Sequence, residues 1–321
     1  MTPRPRRGAA LALAVLLAAL SGCAAGERAG EGRKPYIAIV SKGFQQQFWQ
    51  SVRKGAQQEA ERRGAEISFQ GPATESDVET QVTQVTNAVG RRPDALALAA
   101  LDSRATEPML RKARRAGIPV IAFDSGVDSR IPRTTVATDN RAAAAEAARR
   151  LAAALHGKGQ VAVIAHSQTS GSGIDRRDGF ARWMADHAPG IELLPVQYGG
   201  GDQTKSADIT KAVITANPGV DGIYGTNEGS AMGVIQGVEE SGRKNIKTVG
   251  FDSGKGQIDA VEDGRMVGAI TQDPLAIGRG VVDAALKAHR GGELPRTVDT
   301  GYYWYDRHNV HDPKIEAVLY R

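Results

Sequence analysis

From Pro35 onward the hydrophobic positions fall into short runs separated by longer stretches of mixed polarity. Tyr36 to Ser41 (YIAIVS), Ala65 to Gln70, Asp94 to Ala99 and Ile118 to Phe123 (IPVIAF) form a first series, followed by a short segment at Thr134 to Thr138. A second series runs through Gln160 to Ala165, Ile191 to Gln197, Val220 to Tyr224, Lys247 to Phe251 and Met266 to Thr271. Helical stretches such as Phe48 to Arg63 and Arg141 to Leu155 lie between them. Apolar runs of this length suit strands buried on both faces. Strands alternating with helices predict βαβ units and parallel sheets. Two series of about five units therefore predict an α/β protein of two doubly wound lobes, and 321 residues suit two such lobes. No long Gly/Pro-rich linker separates the series, so short strands are expected to join them.

The first 34 residues read differently. Arg4, Arg6 and Arg7 precede an apolar run from Gly8 to Leu20. That run is shorter than the ~20 residues of a membrane-spanning helix and suits the core of a signal peptide. Leu20-Ser21-Gly22-Cys23 resembles the bacterial lipobox, and Cys23 is the chain's only cysteine. Residues 1–22 are thus expected to be a lipoprotein signal peptide, Cys23 the lipidated residue, and residues 23–34 a flexible polar tether. The chain is placed outside the cell membrane on an acyl anchor, where each buried CH₂ contributes ~0.8 kcal/mol. The charge changes accordingly. Removing the three arginines from the 41 lysines and arginines leaves 38 against 36 acidic residues, so the +5 of the full chain falls to +2. With no basic run interleaved with aromatics, nucleic-acid binding is not expected.

Open parallel sheets bind ligands beyond the carboxyl ends of their strands, and polar residues stand at six of these ends. Gln45, Gln46 and Gln47 follow the first strand, with Phe48 and Trp49 next. Asp124 follows IPVIAF, Arg176 lies near the start of the helix after the Gln160 run, and Asn227 with Glu228 follows Val220 to Tyr224. Asp252 follows the Lys247 run and Gln272 the Met266 run. Any one of these could be a helix cap or a surface residue. Two carboxylates, a guanidinium and three amides converging on one cleft would suit a polyol, whose hydroxyls each donate and accept. Charged acceptors make the stronger bonds, which singles out Asp124 and Asp252. Phe48 and Trp49 either pack in the core or offer flat faces to the C–H side of a sugar ring.

The stretches IAIVSKGFQQQFWQSVRKGAQQEA, IPVIAFDSG, ATDN, RRDGF, GIYGTNEGSAMGV, TVGFDSG and GAITQDPLAIG, in this order and spacing, resemble the ribose-binding-protein branch of the type I periplasmic binding protein family. The resemblance implies two Rossmann-like lobes joined by a three-segment hinge, with residues 35–137 plus 272–300 in the first lobe and 138–271 plus 301–321 in the second. It implies a monomeric extracytoplasmic binding protein, not an enzyme, that delivers a small sugar to an ABC-type permease. Gln46, Phe48, Trp49, Asp124, Arg176, Asn227, Asp252 and Gln272 match its ligand contacts. The chain departs from the ribose pattern at Gln46 (family Asn), Trp49 (Phe) and Ser125 (Arg), and at Gly201, where the family has a stacking aromatic that Tyr198 could replace. These departures leave a small sugar as the implied ligand and set the site apart from ribose itself. Gly71 to Val82 (GPATESDVETQV) is similar to autoinducer-2 and rhamnose binders. Alternatives are a ligand-presenting sensor or chemotaxis protein and, further off, an extracytoplasmic sugar-acting enzyme, for which no acid/base pair is placed.

Other chemistries find no support. GGGDQTKS (Gly199 to Ser206) carries Thr204 where a phosphate loop needs glycine before lysine. No G-x-G-x-x-G follows the first strand and no G-x-S-x-G elbow is present. His308 and His311 lack further ligands, so neither metal nor cofactor is expected. Sugar-responsive repressors share the implied fold but begin with a DNA-reading helix-turn-helix, whereas this chain begins with a signal-like segment.

Overall fold

A computed structural model describes residues 33–320. The signal peptide, Cys23 and nearly all of the tether lie outside the described residues. The first part of the chain forms β1 (Tyr36–Val40), α1 (Gln47–Arg63), β2 (Glu66–Gln70), α2 (Val78–Gly90), β3 (Ala95–Leu98), α3 (Glu107–Arg115), β4 (Val120–Phe123) and β5 (Thr135–Ala137). The middle forms α4 (Asn140–Ala154), β6 (Lys158–Ala165), α5 (Gly171–His187), β7 (Gly190–Leu193), β8 (Gln197–Tyr198), α6 (Gln203–Ala216), β9 (Val220–Gly225), α7 (Glu228–Glu240), β10 (Lys247–Phe251), α8 (Lys255–Glu262) and β11 (Gly268–Gln272). The chain ends with α9 (Pro274–His289), β12 (Thr297–Asp299), β13 (Tyr302–Tyr305) and α10 (Pro313–Glu316).

Two sheets result. One has the order β12-β5-β4-β3-β1-β2 and the other β13-β11-β10-β9-β6-β7, with β8 beside β6. Every pairing is parallel except β11 with β13. The central strands are buried on both faces, as their apolar runs require. Ile37, Ile39, Ala97 and Ile121 face α1 and α9, whereas Ala38, Val40, Leu96 and Val120 face α2 and α3. In the second sheet Val161, Val163 and Val249 lie on the α4–α5 side, and Ala162, Ile164 and Ile223 on the other.

Two details differ from the hydrophobic pattern. The run Ile191 to Gln197 divides into β7 and β8, separated by a segment containing Pro195, which has no N–H for the ladder. β12 and β13 were not expected, because they sit at sheet edges, where β12 keeps polar residues and β13 exposes Tyr303.

The chain crosses between the sheets three times, after β5, after β11 and after β12. The crossings are tied to one another. Thr138 Oγ1 lies 2.9 Å from Gln272 Oε1 and 3.2 Å from the Gly301 carbonyl, and Thr300 N–H donates to the Ala137 carbonyl at 3.1 Å. α9 returns to the first lobe and crosses α1 closely. A Cβ at Gly278 would run into the Val52 carbonyl, and one at Gly55 would stand 2.8 Å from Leu275 Cα.

Candidate functional site

The carboxyl ends of the two sheets face each other. Asp124 directly follows β4 and Asp252 directly follows β10. Both backbones adopt left-handed conformations, with φ of 53° and 83°. Such conformations cost non-glycine residues about 1–3 kcal/mol and recur where ligands bind. The Asp124 N–H stays on the Val136 carbonyl (2.9 Å) and the Asp252 N–H on the Ile270 carbonyl (2.6 Å). Each sheet therefore ends in a carboxylate turned out of the ladder.

Arg176 lies between them, on the second turn of α5, whose first turn is capped by Ser170 Oγ accepting from Gly173 N–H. Its side chain is only 2% exposed. Nε donates to Asn140 Oδ1 (2.7 Å) and Nη1 to the Thr226 carbonyl (2.9 Å). Its nitrogens lie 4.0 Å from Asp124 Oδ1 and 3.9 Å from Asp252 Oδ2, and the guanidinium stacks 3.6 Å over the Phe251 ring. Gln272 Nε2 donates to Asp252 Oδ1 (2.7 Å), and Glu228 N–H donates to Oδ2 (2.9 Å). Asp124 is held by Lys42, whose Nζ is 3.0 Å from Oδ2 and also donates to Ser172 Oγ at 2.9 Å. Four ionic groups are thus buried together with their partners, the condition on which buried charge is tolerated.

Asn227 is the N-cap of α7. Its Oδ1 accepts from Ser230 N–H (2.9 Å) while Nδ2 donates to Glu75 Oε2 (3.1 Å). Gln46 takes the N-cap position of α1 without a side-chain cap bond and is half-buried. Phe48 and Trp49 are buried in the first lobe's core, edge to face with each other at 4.8 Å. Phe48 meets Tyr320, Trp49 meets Phe123, and Trp49 Nε1 donates to Glu75 Oε1 (2.8 Å). The lobes touch across the cleft. Lys255 N–H donates to Gln47 Oε1 at 2.7 Å, and Ser103 N–H to the Thr169 carbonyl at 3.0 Å.

Two cavities flank the buried ions. One, of about 210 Å³, opens at the mouth and is lined by Gln46, Glu75, Gly201, Asp202, Glu228 and neighbours, with no basic side chain among the described residues. The other, of about 510 Å³, lies toward the hinge. Asp124, Asp128, Asp139, Asp175 and Asp299 line it, with Arg141 as its only cation among the described residues. Of the eight residues singled out in the sequence, Gln46 lines the first cavity and Asp124 the second. Arg176, Asp252 and Gln272 belong to the septum between them, joined to Asp124. Asn227 stands at the edge of the mouth, and Phe48 and Trp49 back it from the core.

Several site residues were passed over in the sequence. Lys42 comes one residue after the end of YIAIVS and His166 directly after Ala165, so the strand-end rule covered both. Asn140, Ser172 and Glu75 carry no such signal. Burial, then the positive charges of Lys42 and Arg176, push the His166 imidazole well below its usual range, so it is neutral. Its Nδ1 lies 2.8 Å from Thr226 Oγ1. Glu228, the first residue of α7, is raised to about 7 by burial and then by the Asp252 charge, against the pull of the Phe48 and Gln47 amides. Tyr198 lines neither cavity, and its hydroxyl accepts from Arg177 Nη1 at 3.1 Å. Ser125 Oγ accepts from Ser172 N–H at 3.3 Å. Among the described residues no cluster of three or more potential metal ligands occurs, and no helix is long and apolar enough to cross a membrane.

A family profile described as a periplasmic binding protein domain matches residues 37–293. An ABC transporter solute binding protein from Agrobacterium vitis, solved with α-D-tagatopyranose, is 32% identical. Its alignment covers 90% of this chain and 100% of that one, with a TM-score of 0.86. A second from the same organism, solved with D-fucose, is 31% identical over 89% of this chain and 100% of its own, with a TM-score of 0.85. The ribose import binding protein of Bacillus subtilis is 25% identical over 251 residues, 78% of this chain and 80% of its own length.

Proposed function

This chain belongs to the periplasmic binding protein family, and from that premise we propose that it captures a monosaccharide or related small polyol between its lobes for an ABC-type importer. The observation that carries this reading is the convergence of Asp124, Asp252, Arg176 and Gln272 between the carboxyl ends of two sheets. Hydroxyls inserted there meet charged acceptors and fixed donors together, which a polyol needs and an apolar ligand would leave unsatisfied. Asp124, Arg176, Asn227, Asp252 and Gln272 hold hydroxyls, Gln46 reaches in from the mouth, and Phe48 with Trp49 supports the C–H side of the ring. Trp49 borders the charged cluster, its ring 5.7 Å from the Lys42 ammonium. The chain acts outside the cytoplasm, tethered through lipidated Cys23, as a monomer that presents its closed form to a membrane permease.

Thermal unfolding of the Cys23→Ser chain against D-ribose, D-allose, D-fucose, D-tagatose, D-arabinose, D-xylose, L-rhamnose, inositol and xylitol tests the ligand class. A sugar at 100 times its dissociation constant stabilises the native state by ~2.7 kcal/mol. A shift with one or two of these compounds supports the reading, and none with any of them overturns it. Fractionation tests the anchor: the parent chain sediments with membranes and the Cys23→Ser chain does not. Equal retention of both removes Cys23 from this role.

A further inference from the structure

At the mouth of the cleft a single carboxylate holds two donors from different lobes. Glu75, in the connection between β2 and α2, accepts Trp49 Nε1–H through Oε1 at 2.8 Å and Asn227 Nδ2–H through Oε2 at 3.1 Å. Trp49 stands on α1 of the same lobe, whereas Asn227 caps α7 in the other. Both partners are donors, and the carboxylate gives each its own acceptor oxygen. The opposite wall leaves room for this contact because residue 201 is glycine. A Cβ there would stand 3.0 Å from Asn227 Nδ2 and 3.2 Å from Glu75 Oε2, and the backbone has a φ of 71°. The Asn227 cap on Ser230 is made within its own lobe, but its bond to Glu75 exists only while the lobes meet.

We propose that Glu75 is a positioning residue that latches the two lobes through Asn227 and fixes the Trp49 ring as they close, so that it sets the closed population of the cleft. The latch follows from cross-lobe geometry and does not depend on the ligand being a sugar. An amide at position 75 keeps one acceptor but turns its NH₂ against a donor. A carboxylate at position 227 keeps the Ser230 cap but faces Glu75 with like charge. Made together, the two changes restore a matched pair, because the new amide donates to the new carboxylate while its oxygen still accepts from Trp49.

The test uses the full chain with Cys23→Ser, which leaves it without cysteine, and with Glu79→Cys on α2 and Lys205→Cys on α6, both exposed, carrying a distance-reporting label pair. Distance distributions are recorded without ligand and with D-ribose, D-fucose or D-tagatose. Glu75→Gln and Asn227→Asp each lower the closed-to-open ratio about tenfold, and the double variant returns it to within about threefold of the parent. Unfolding midpoints of the open form stay unchanged throughout, which separates a latch from a structural contact. Single variants that close like the parent, a double variant no better than the product of the singles, or a parent with no closed population under any condition each overturn the proposal. Variants that shift the ratio while none of the three sugars does so support the latch and count against the sugar reading alone.

Discussion

Asp124 and Asp252 end corresponding strands in two sheets of the same design, and both turn out of the ladder with a left-handed backbone. Their surroundings differ. Asp124 is held by charge, with the Lys42 ammonium at 3.0 Å and the Arg176 guanidinium at 4.0 Å. Asp252 is held by neutral donors, the Gln272 amide and the Glu228 N–H, with Arg176 at 3.9 Å. A carboxylate fixed by dipoles keeps its orientation when a neighbouring charge is lost, whereas one fixed by an ion pair loses its main partner. Arg176 is the group the two sites share. The second lobe's aspartate is therefore the more firmly oriented carboxylate, and the first lobe's aspartate the one most sensitive to its neighbours.

The largest expected effect comes from removing what the two sites share. Arg176→Met leaves both carboxylates buried without their common cation and is expected to destabilise the fold by about 3–5 kcal/mol. Urea unfolding measures this, and a loss below about 1 kcal/mol would mean that the guanidinium does not support the cluster. Next, a double-mutant cycle between Lys42→Met and Asp124→Asn is expected to give a coupling of about 1–3 kcal/mol. The same Lys42→Met change combined with Asp252→Asn is expected to be nearly additive. Equal coupling in both cycles would erase the contrast between charge and dipole.

The third prediction concerns pH. His166 is depressed below its ordinary 6.5, so below that value the unfolded chain takes up a proton that the folded protein refuses, and stability falls as pH falls. Glu228 is raised from 4.5 to about 7, so between these values the folded state holds a proton that the unfolded chain releases, and stability rises as pH falls. The two slopes oppose each other, each at most about 1.4 kcal/mol per pH unit. Glu228→Gln is expected to expose the His166 slope between pH 6.5 and 4.5, and His166→Gln the opposite one, in calorimetry at stepped pH. Parallel profiles for the two variants would show that neither group titrates as its surroundings dictate. The smallest effect is expected from Ser170→Ala, which removes the cap of the helix carrying Arg176 and should cost about 1 kcal/mol. Thermal unfolding reads this directly, and an unchanged midpoint would show that Arg176 is seated without help from the cap.

What the chain discloses before folding follows the same physics. Central strands bury both faces, so they appear as unbroken apolar runs. Edge strands such as β12 pair on one side only and keep polar residues, so they merge with the loops. Asp124, Asp252 and Gln272 are visible because they stand directly at strand ends. Arg176 is visible as a position, but its burial is not, because only tertiary packing sets Asn140, the Thr226 carbonyl and Phe251 around it. Lys42 and His166 are at strand ends too, and were obscured by the glutamine run and by the helix that follows. Glu75 stands five residues beyond the end of β2 rather than directly at it, and its meeting with Asn227 arises only when the lobes are assembled.

The threefold crossing between the sheets also has a consequence for a chain still being synthesised. α9 carries Ile277, Val281 and Val282 into the first core, and β12 completes the first sheet, yet both are encoded after nearly all of the second sheet. A growing chain thus has every strand of the second sheet except β13 while the first lobe still lacks its packing helix, and it can complete the first lobe only after residue 299. Until then the carboxyl ends of β1 to β4 belong to an unfinished body. A truncated chain is therefore not a weaker binder but one with no opposing jaw.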